Sequence, residues 1–430
     1  MGLMTLPARI PAALLLVLVG CTGAPATARP PGAGKSATTT SPGSSAPGTP
    51  GVGSGEGWRP LRKAPPPILL EISAGSDITC ARTVPRGDGP AQQALPALAS
   101  AAGSPNAQAA NRVWCWGSNI ADPPGLPTGA VQTTPWPIGG LRDITQISAG
   151  GRVACALGQD GSAWCWDYYA PVAGDRLGLA PVPVKLSDII QIAAGGHTCM
   201  LRRDTTVHCW GFNEYGQVGD GTKEPRRVPA LVLKGATQVA SGLGHTCALM
   251  TDSRVQCWGK STHGELGGGT REWRARPAPV PGLEGVAAIA STGEHTCAQM
   301  KDGTVRCWGA NWSGQVGDGT KVARTSPVPV RGVTGAIQIA TGDEHSCAVV
   351  RGGDLYCWGS NFAGSIGNGN NVHQPLPVRV LGGVAQVTAG HMHSCALLTD
   401  GSARCWGSNR AGQLGDGTTT TRTTPAPVVW

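Results

Sequence analysis

Short apolar stretches recur along this chain with turn residues between them. One full copy reads Pro327-Val328-Pro329-Val330, then Ala336-Ile337-Gln338-Ile339-Ala340, then a hairpin from His345 through Trp358. The pattern predicts four short strands per unit, with loops between them. Pro327 and Pro329 in alternation cannot sit in a central ladder, so that strand belongs at an edge of its sheet. The clearest copy of the hairpin runs from Gly293 to Gly309, where Cys297 and Cys307 flank Asp302-Gly303. A three-residue loop with Gly303 in the left-handed position places the two cysteines opposite each other. Opposed Cβ atoms on antiparallel strands lie about 4.5–5.5 Å apart, close to what a disulfide needs.

The same ten-residue spacing joins Cys155 to Cys165, Cys199 to Cys209, Cys247 to Cys257, Cys347 to Cys357 and Cys395 to Cys405. Cys80 and Cys115 form a longer pair, and the Ala/Gly/Pro/Gln-rich excursion at about 83–111 reads as a disordered insertion. The second cysteines advance by 50, 44, 48, 50, 50 and 48 residues. A period near 48 with several short strands and Gly-rich turns predicts an all-β, seven-bladed propeller over 58–430, with four short strands per blade. The chain ends on Pro425-Ala426-Pro427-Val428-Val429-Trp430, which reads as the opening strand of a further unit, while the first unit lacks a good copy of it. The C-terminal strand is therefore expected to complete the first blade and close the ring.

Composition changes this picture little in the body and greatly at the N-terminus. The 65 glycines and 35 prolines fall at repeated turn positions, so they mark a folded repeat and not low complexity. A net charge of +8 over 430 residues is too small an excess to imply nucleic acid. Residues 1–20 carry one basic residue, Arg9, and an apolar run from Ile10 to Gly20, a signal-peptide core too short to span a bilayer. The segment Leu18-Val19-Gly20-Cys21 resembles the bacterial lipobox, which implies a lipid on Cys21, palmitate included; the alternative is ordinary cleavage with Cys21 incidental. Fifteen cysteines less Cys21 leave fourteen, the seven pairs above, and an exported chain is where disulfides persist. Residues 21–57 read as a flexible Ala/Pro/Gly/Ser/Thr tether. Thr22 after the lipid site favours the outer over the inner membrane by resemblance to bacterial sorting rules.

His-Thr-Cys-Ala-Leu, Asp-Gly, Cys-Trp-Gly, Gly-Gln-Val-Gly-Asp-Gly-Thr and Pro-Val-Pro-Val together resemble the regulator of chromosome condensation repeat, over about Ile68 to Trp430. The resemblance implies a seven-bladed propeller. Members of that family include a nuclear nucleotide-exchange factor, a plant UV-B photoreceptor and a secreted β-lactamase inhibitor, so the fold does not carry a function with it. Two units depart from the pattern: the second reads Cys165-Trp166-Asp167-Tyr168-Tyr169, and neither the first nor the second has the Gly-Asp-Gly-Thr loop.

Repeated residues are expected to serve the frame. His197, His245, His295, His345 and His393 stand too far apart, blade to blade, for one ion and should hydrogen-bond within their own blades. Asp220, Asp318 and Asp416 lie in loops with one carboxylate each, which suits Asx turns better than calcium. The tryptophan after each second cysteine should pack between blades. Binding is expected where the repeat stops repeating: Tyr215, Trp312, Phe362 and Arg410 on the loops after the second cysteine. Arg274 and Arg324 are the basic candidates, either an arc for an anionic polysaccharide or acidic partner or a structural bond to loop carbonyls. No nucleophile motif, phosphate loop or paired-carboxylate spacing stands out, and no cofactor or metal is expected.

These readings converge on a monomeric, membrane-anchored binding scaffold of a bacterial envelope, holding a protein ligand through one face, with nucleic acid disfavoured. The alternative is a polysaccharide-active or envelope-processing enzyme with a site at the propeller mouth. Nucleotide exchange on a GTPase is opposed by the export signal.

Overall fold

The computed structural model describes residues 67–84, 112–118, 131–151, 153–167, 171–172, 175–176 and 181–430. The expected signal segment, Cys21 and the tether lie outside these residues. So does the expected insertion, apart from Thr83 and Val84, which end the strand Ile78–Val84.

Seven four-stranded antiparallel sheets follow one another along the chain, and a short two-stranded ribbon, Pro171–Val172 with Asp175–Arg176, branches from the second. Blade 5 shows how sequence builds each one. Its strands are Val286–Ser291, His295–Met300, Val305–Gly309 and Arg324–Pro329. Val286, Ile289 and Ser291 of the innermost strand are buried. The Asp302-Gly303 loop turns the chain with Gly303 at φ 82°, and Cys297 then pairs with Cys307. Thr205 and Ser253 hold the same left-handed position at φ 66° and 64° without glycine's freedom. All seven cysteine pairs are joined as disulfides, each inside one hairpin, with Cα atoms 4.0–4.1 Å apart.

The expected mode of ring closure is corrected. The C-terminal strand Arg422–Pro427 pairs with Ala403–Gly407 in the seventh blade, not with the first. The first blade has its own outer strand, Gln132–Pro137, paired with Arg112–Gly117. The proline-alternating segment follows each hairpin as the fourth strand of the same sheet, and Gln132-Thr133-Thr134-Pro135-Trp136-Pro137 is the copy that the first unit was expected to lack. Every blade is thus contiguous in sequence. The chain end still touches blade 1: Trp430 packs edge-on against Trp114 and Trp116, with ring centroids 5.7 and 6.1 Å away.

Blades are joined by polar clamps over a buried apolar layer. A glutamine on five of the seven innermost strands reaches the main chain of the next blade. Gln238 accepts from Ile289 N at 2.8 Å and donates to its carbonyl at 3.0 Å. Gln146, Gln191, Gln338 and Gln386 repeat this, the last closing blade 7 onto Ile72 of blade 1. Glu71 takes the same role with one bond, from Ile147 N. Nearer the axis, turns of successive blades share main-chain bonds, such as Gly196 N to Gly242 O and His391 N to Gly75 O. The crowding explains the small residues there: a Cβ on Gly75 would lie 2.4 Å from Gly150 O.

The repeated histidines are fully or almost fully buried, and their partners are in the next blade, not in their own as expected. Nε2 of His197, His245, His295, His345 and His393 meets the hydroxyls of Thr246, Thr296, Ser346, Ser394 and Thr79 at 2.5–2.8 Å. The residue before the first cysteine is a hydroxyl in each partner blade, so the bond joins blade to blade. The buried tryptophans do the reverse job: Trp116, Trp258, Trp308, Trp358 and Trp406 each donate Nε1 to a carbonyl in the loop of the preceding blade.

Candidate functional site

The loop after each third strand is set by an internal scaffold. In blade 5, Asn311 Oδ1 accepts from Val316 N, and its amide donates to Asp318 and to the carbonyls of Thr320 and Val322. Asp318 Oδ1 accepts from the amide and hydroxyl of Thr320, and Oδ2 from Arg324 at 2.7 Å. Those bonds hold the Asp318 carboxyl below its usual range against the opposing effect of burial. Arg422 with Asp416, and Arg226 with Asp220, repeat the pair. Arg324 is therefore engaged by its own loop, the structural role set beside the binding role for this register. Arg274 is not. Gly268 stands where the other loops have Asp220, Asp318, Asn368 and Asp416, and Arg274 has no carboxylate partner among the described residues.

On this rigid base the non-repeating positions project from one end of the ring. Phe362 is 71% exposed, Trp312 42% and Tyr215 39%, and Arg410 is exposed too. Trp312 is oriented by its blade neighbours: Nε1 donates to Glu344 at 3.0 Å and the indole meets the His263 ring edge-on at 4.8 Å. Lys260 approaches the Tyr215 ring and pairs with Glu294.

Glu294 and Glu344 reveal a second group of residues at the same end. They belong to the axial turns between the first and second strands, as do Asp77, Asp343, His391 and Met392. Asp343 pairs with His391 at 3.3 Å. Burial, with Glu344, Glu294 and Asp77 adding repulsion, raises the Asp343 carboxyl above its ordinary value in spite of His391. The mouth is thus acidic over blades 5, 6 and 1, with His391 of blade 7 set among the acids, and it is flanked by exposed aromatics. Sequence reasoning passed over these turns because it followed the loops after the second cysteine. The signal was present: the residue before each repeated histidine reads Gly196, Gly244, Glu294, Glu344 and Met392, which is no repeat.

The fold and its clamps define a closed, disulfide-stapled seven-bladed propeller. Residues 204–249, 302–349 and 352–397 match the Regulator of chromosome condensation (RCC1) repeat, and a second model of that repeat matches 189–217, 236–265, 286–315, 336–365 and 384–413. The chain carries RCC1 repeats, built into a seven-bladed propeller. It is 34% identical over 111 residues to the RCC1 domain-containing protein RUG3, mitochondrial, of Arabidopsis thaliana, covering 23% of this chain and 25% of that protein. It is 33% identical over 107 residues to the ultraviolet-B receptor UVR8 of the same plant, covering 23% and 24%. The matches thus span about a quarter of the length of these relatives. Among solved structures, yeast RCC1 (Prp20) bound to Kap60 is similar at a TM-score of 0.65 and 23% identity, over 74% of this chain and 83% of that one. Human WBSCR16 gives 0.65 and 22%, over 74% and 95%. These likenesses concern the fold.

Proposed function

We propose that this protein is a lipid-anchored extracytoplasmic scaffold of a bacterial envelope that holds a protein partner on the end of the propeller carrying Tyr215, Trp312, Phe362 and Arg410. The observation that carries this is contrast within one surface. Most of the frame repeats from blade to blade, yet successive blades from the third to the seventh present Glu214, Thr262, Trp312, Phe362 and Arg410 from the same loop position; two of these are exposed aromatics, and Tyr215 adds a third one position further on. The acidic mouth beside them favours a partner segment with basic residues. Other RCC1-repeat proteins support a protein ligand: the yeast protein was crystallised with Kap60, and a second study of it names binding to Gsp1p and histones. Export and the lipid on Cys21 rest on the N-terminal sequence alone.

Incubating the purified chain with cell-envelope fractions and identifying what is retained tests the binding. Trp312→Ala and Phe362→Ala should each release the partner, and unaltered retention by both overturns the assignment of the face. Labelled palmitate should enter the chain but not Cys21→Ser; equal labelling of both overturns the anchor. A second reading, hydrolysis of an envelope polysaccharide at the mouth, is favoured by the raised Asp343 carboxyl among other acids. Cleavage of envelope glycan by the chain and its loss in Asp343→Asn would replace the scaffold with an enzyme.

A further inference from the structure

Blade 4 abandons the loop scaffold that its neighbours share. Ser261 replaces Asn213, Asn311, Asn361 and Asn409, and Gly268 replaces Asp220, Asp318, Asn368 and Asp416. Glu265 stands where the other loops have Gln217, Gln315, Ser365 and Gln413. The glutamines accept a bond from the main-chain N two residues back, as Gln315 does from Ser313 and Gln413 from Ala411. Glu265 makes the same bond, from His263 N at 2.6 Å. A neutral amide therefore serves that structural role, and the charge of Glu265 is not needed for it.

That charge is nevertheless placed where it costs most. The Glu265 side chain is 0% exposed, and no lysine or arginine pairs with it among the described residues. Its Oε1 has only the Thr262 hydroxyl at 3.3 Å and His263 Nδ1 at 3.5 Å. A buried carboxylate persists when it is paired or bound to a cation. The second acid, Glu294, reaches over from the axial turn of blade 5. One oxygen pairs with Lys260, and the other lies 3.6 Å from His263 Nδ1. One atom each from His263, Glu265 and Glu294 falls within 4.8 Å of the others. Two ligands bound at about 2.1 Å in tetrahedral geometry are roughly 3.4 Å apart, which matches both separations from Nδ1. The edge of Trp312 against the imidazole limits its rotation.

We propose that His263, Glu265 and Glu294 bind one divalent transition-metal cation of the zinc class, across the seam between blades 4 and 5. An imidazole ligand disfavours magnesium and calcium. His263 and Glu294 keep 34% and 20% of their side chains exposed, so the remaining coordination positions open to solvent on the proposed binding end.

Titration calorimetry with zinc chloride on the EDTA-treated full chain at pH 7.5 tests this, with Glu265→Gln and His263→Ala alongside. Glu265→Gln restores the residue that other blades carry, so its fold should be intact and its metal-free melting temperature no lower than that of the parent. The expected result is one site in the parent whose affinity falls at least tenfold in each variant. Absence of zinc binding in the parent, or an unchanged affinity in Glu265→Gln, overturns the site. Calcium binding as tight as zinc overturns the ligand class.

Discussion

The junction between blades 5 and 6 differs from the other six. Elsewhere a side-chain amide or carboxylate clamps the next blade and an axial main-chain bond joins the turns. Here Ala288 stands at the clamp position, and among the described residues no main-chain bond links the turn at Gly293 to that at Asp343. The His295 bond to Ser346 remains, and Gln299 reaches Ala336 O at 3.1 Å from the second strand. On this same seam the frame gives way to Glu294, Asp343, Glu344 and Trp312. A repeat that holds itself together at six seams has room at the seventh for residues that serve something else.

The largest expected effect acts within blades and leaves the seams alone. Each of the seven disulfides closes a loop inside a hairpin, and such closures contribute about 2–3 kcal/mol apiece in the chain-entropy model. Full reduction under native conditions should lower the melting temperature by at least about 10 °C. A calorimetric scan that is unchanged by complete thiol reduction would show that the seams, and not the staples, set stability.

Cutting a clamp comes next. Gln386→Ala removes both bonds to Ile72, a residue 1% exposed, at the seam that closes the ring. Leaving a buried N–H and C=O without partners should cost roughly 2–4 kcal/mol in denaturant unfolding. A loss below about 0.5 kcal/mol would mean that the clamps decorate a ring held by apolar packing alone.

The pH dependence separates the one acidic clamp from its amide equivalents. Burial outweighs the Arg82 pairing and raises the Glu71 carboxyl from 4.5 to about 7. The folded state therefore keeps a proton that the unfolded chain gives up, so this contribution is full below pH 4.5 and is lost as pH rises through 7. The buried histidines tilt the other way. Burial lowers their values to about 3 or 4, so their stability is present above pH 6.5 and fades as pH falls. Glu71→Gln leaves the histidines in place and should stabilise the protein at pH 8 relative to pH 5 by about 1–3 kcal/mol against the parent. An identical pH profile in the two proteins would remove the claim of a raised carboxyl.

The period, the hairpins and their sulfur pairing were legible because cysteine, Asp-Gly and Trp-Gly recur at fixed offsets and turn chemistry is local. The closure was misread because a proline-alternating strand looks the same whether it opens one sheet or ends another; only the ladder from Gly407 to Arg422 decides. The histidine partners were misplaced for a related reason. A bond to Thr296 or Ser346 joins residues 51 apart, and no spacing inside one repeat announces it. The candidate face was half visible, through Trp312 and Phe362. The acidic mouth was not, since Glu294, Asp343 and Asp77 come together only when the ring closes.

The smallest effect is the sharpest test of the odd seam. Ala288→Gln would supply the missing amide opposite Ile339, whose equivalents Ile289, Val387 and Ile72 each receive such a clamp. Ala288 is half-buried, as Gln191, Gln238 and Gln338 are, so the longer side chain has the same channel to follow. Two new hydrogen bonds less the cost of ordering a glutamine should leave a gain of about 0.5–1.5 kcal/mol. If this seam is open because the face needs it, the gain in stability should come with weaker retention of the envelope partner. A more stable protein that binds as before would place the missing clamp outside function. A less stable one would show that the seam is packed differently from the other six.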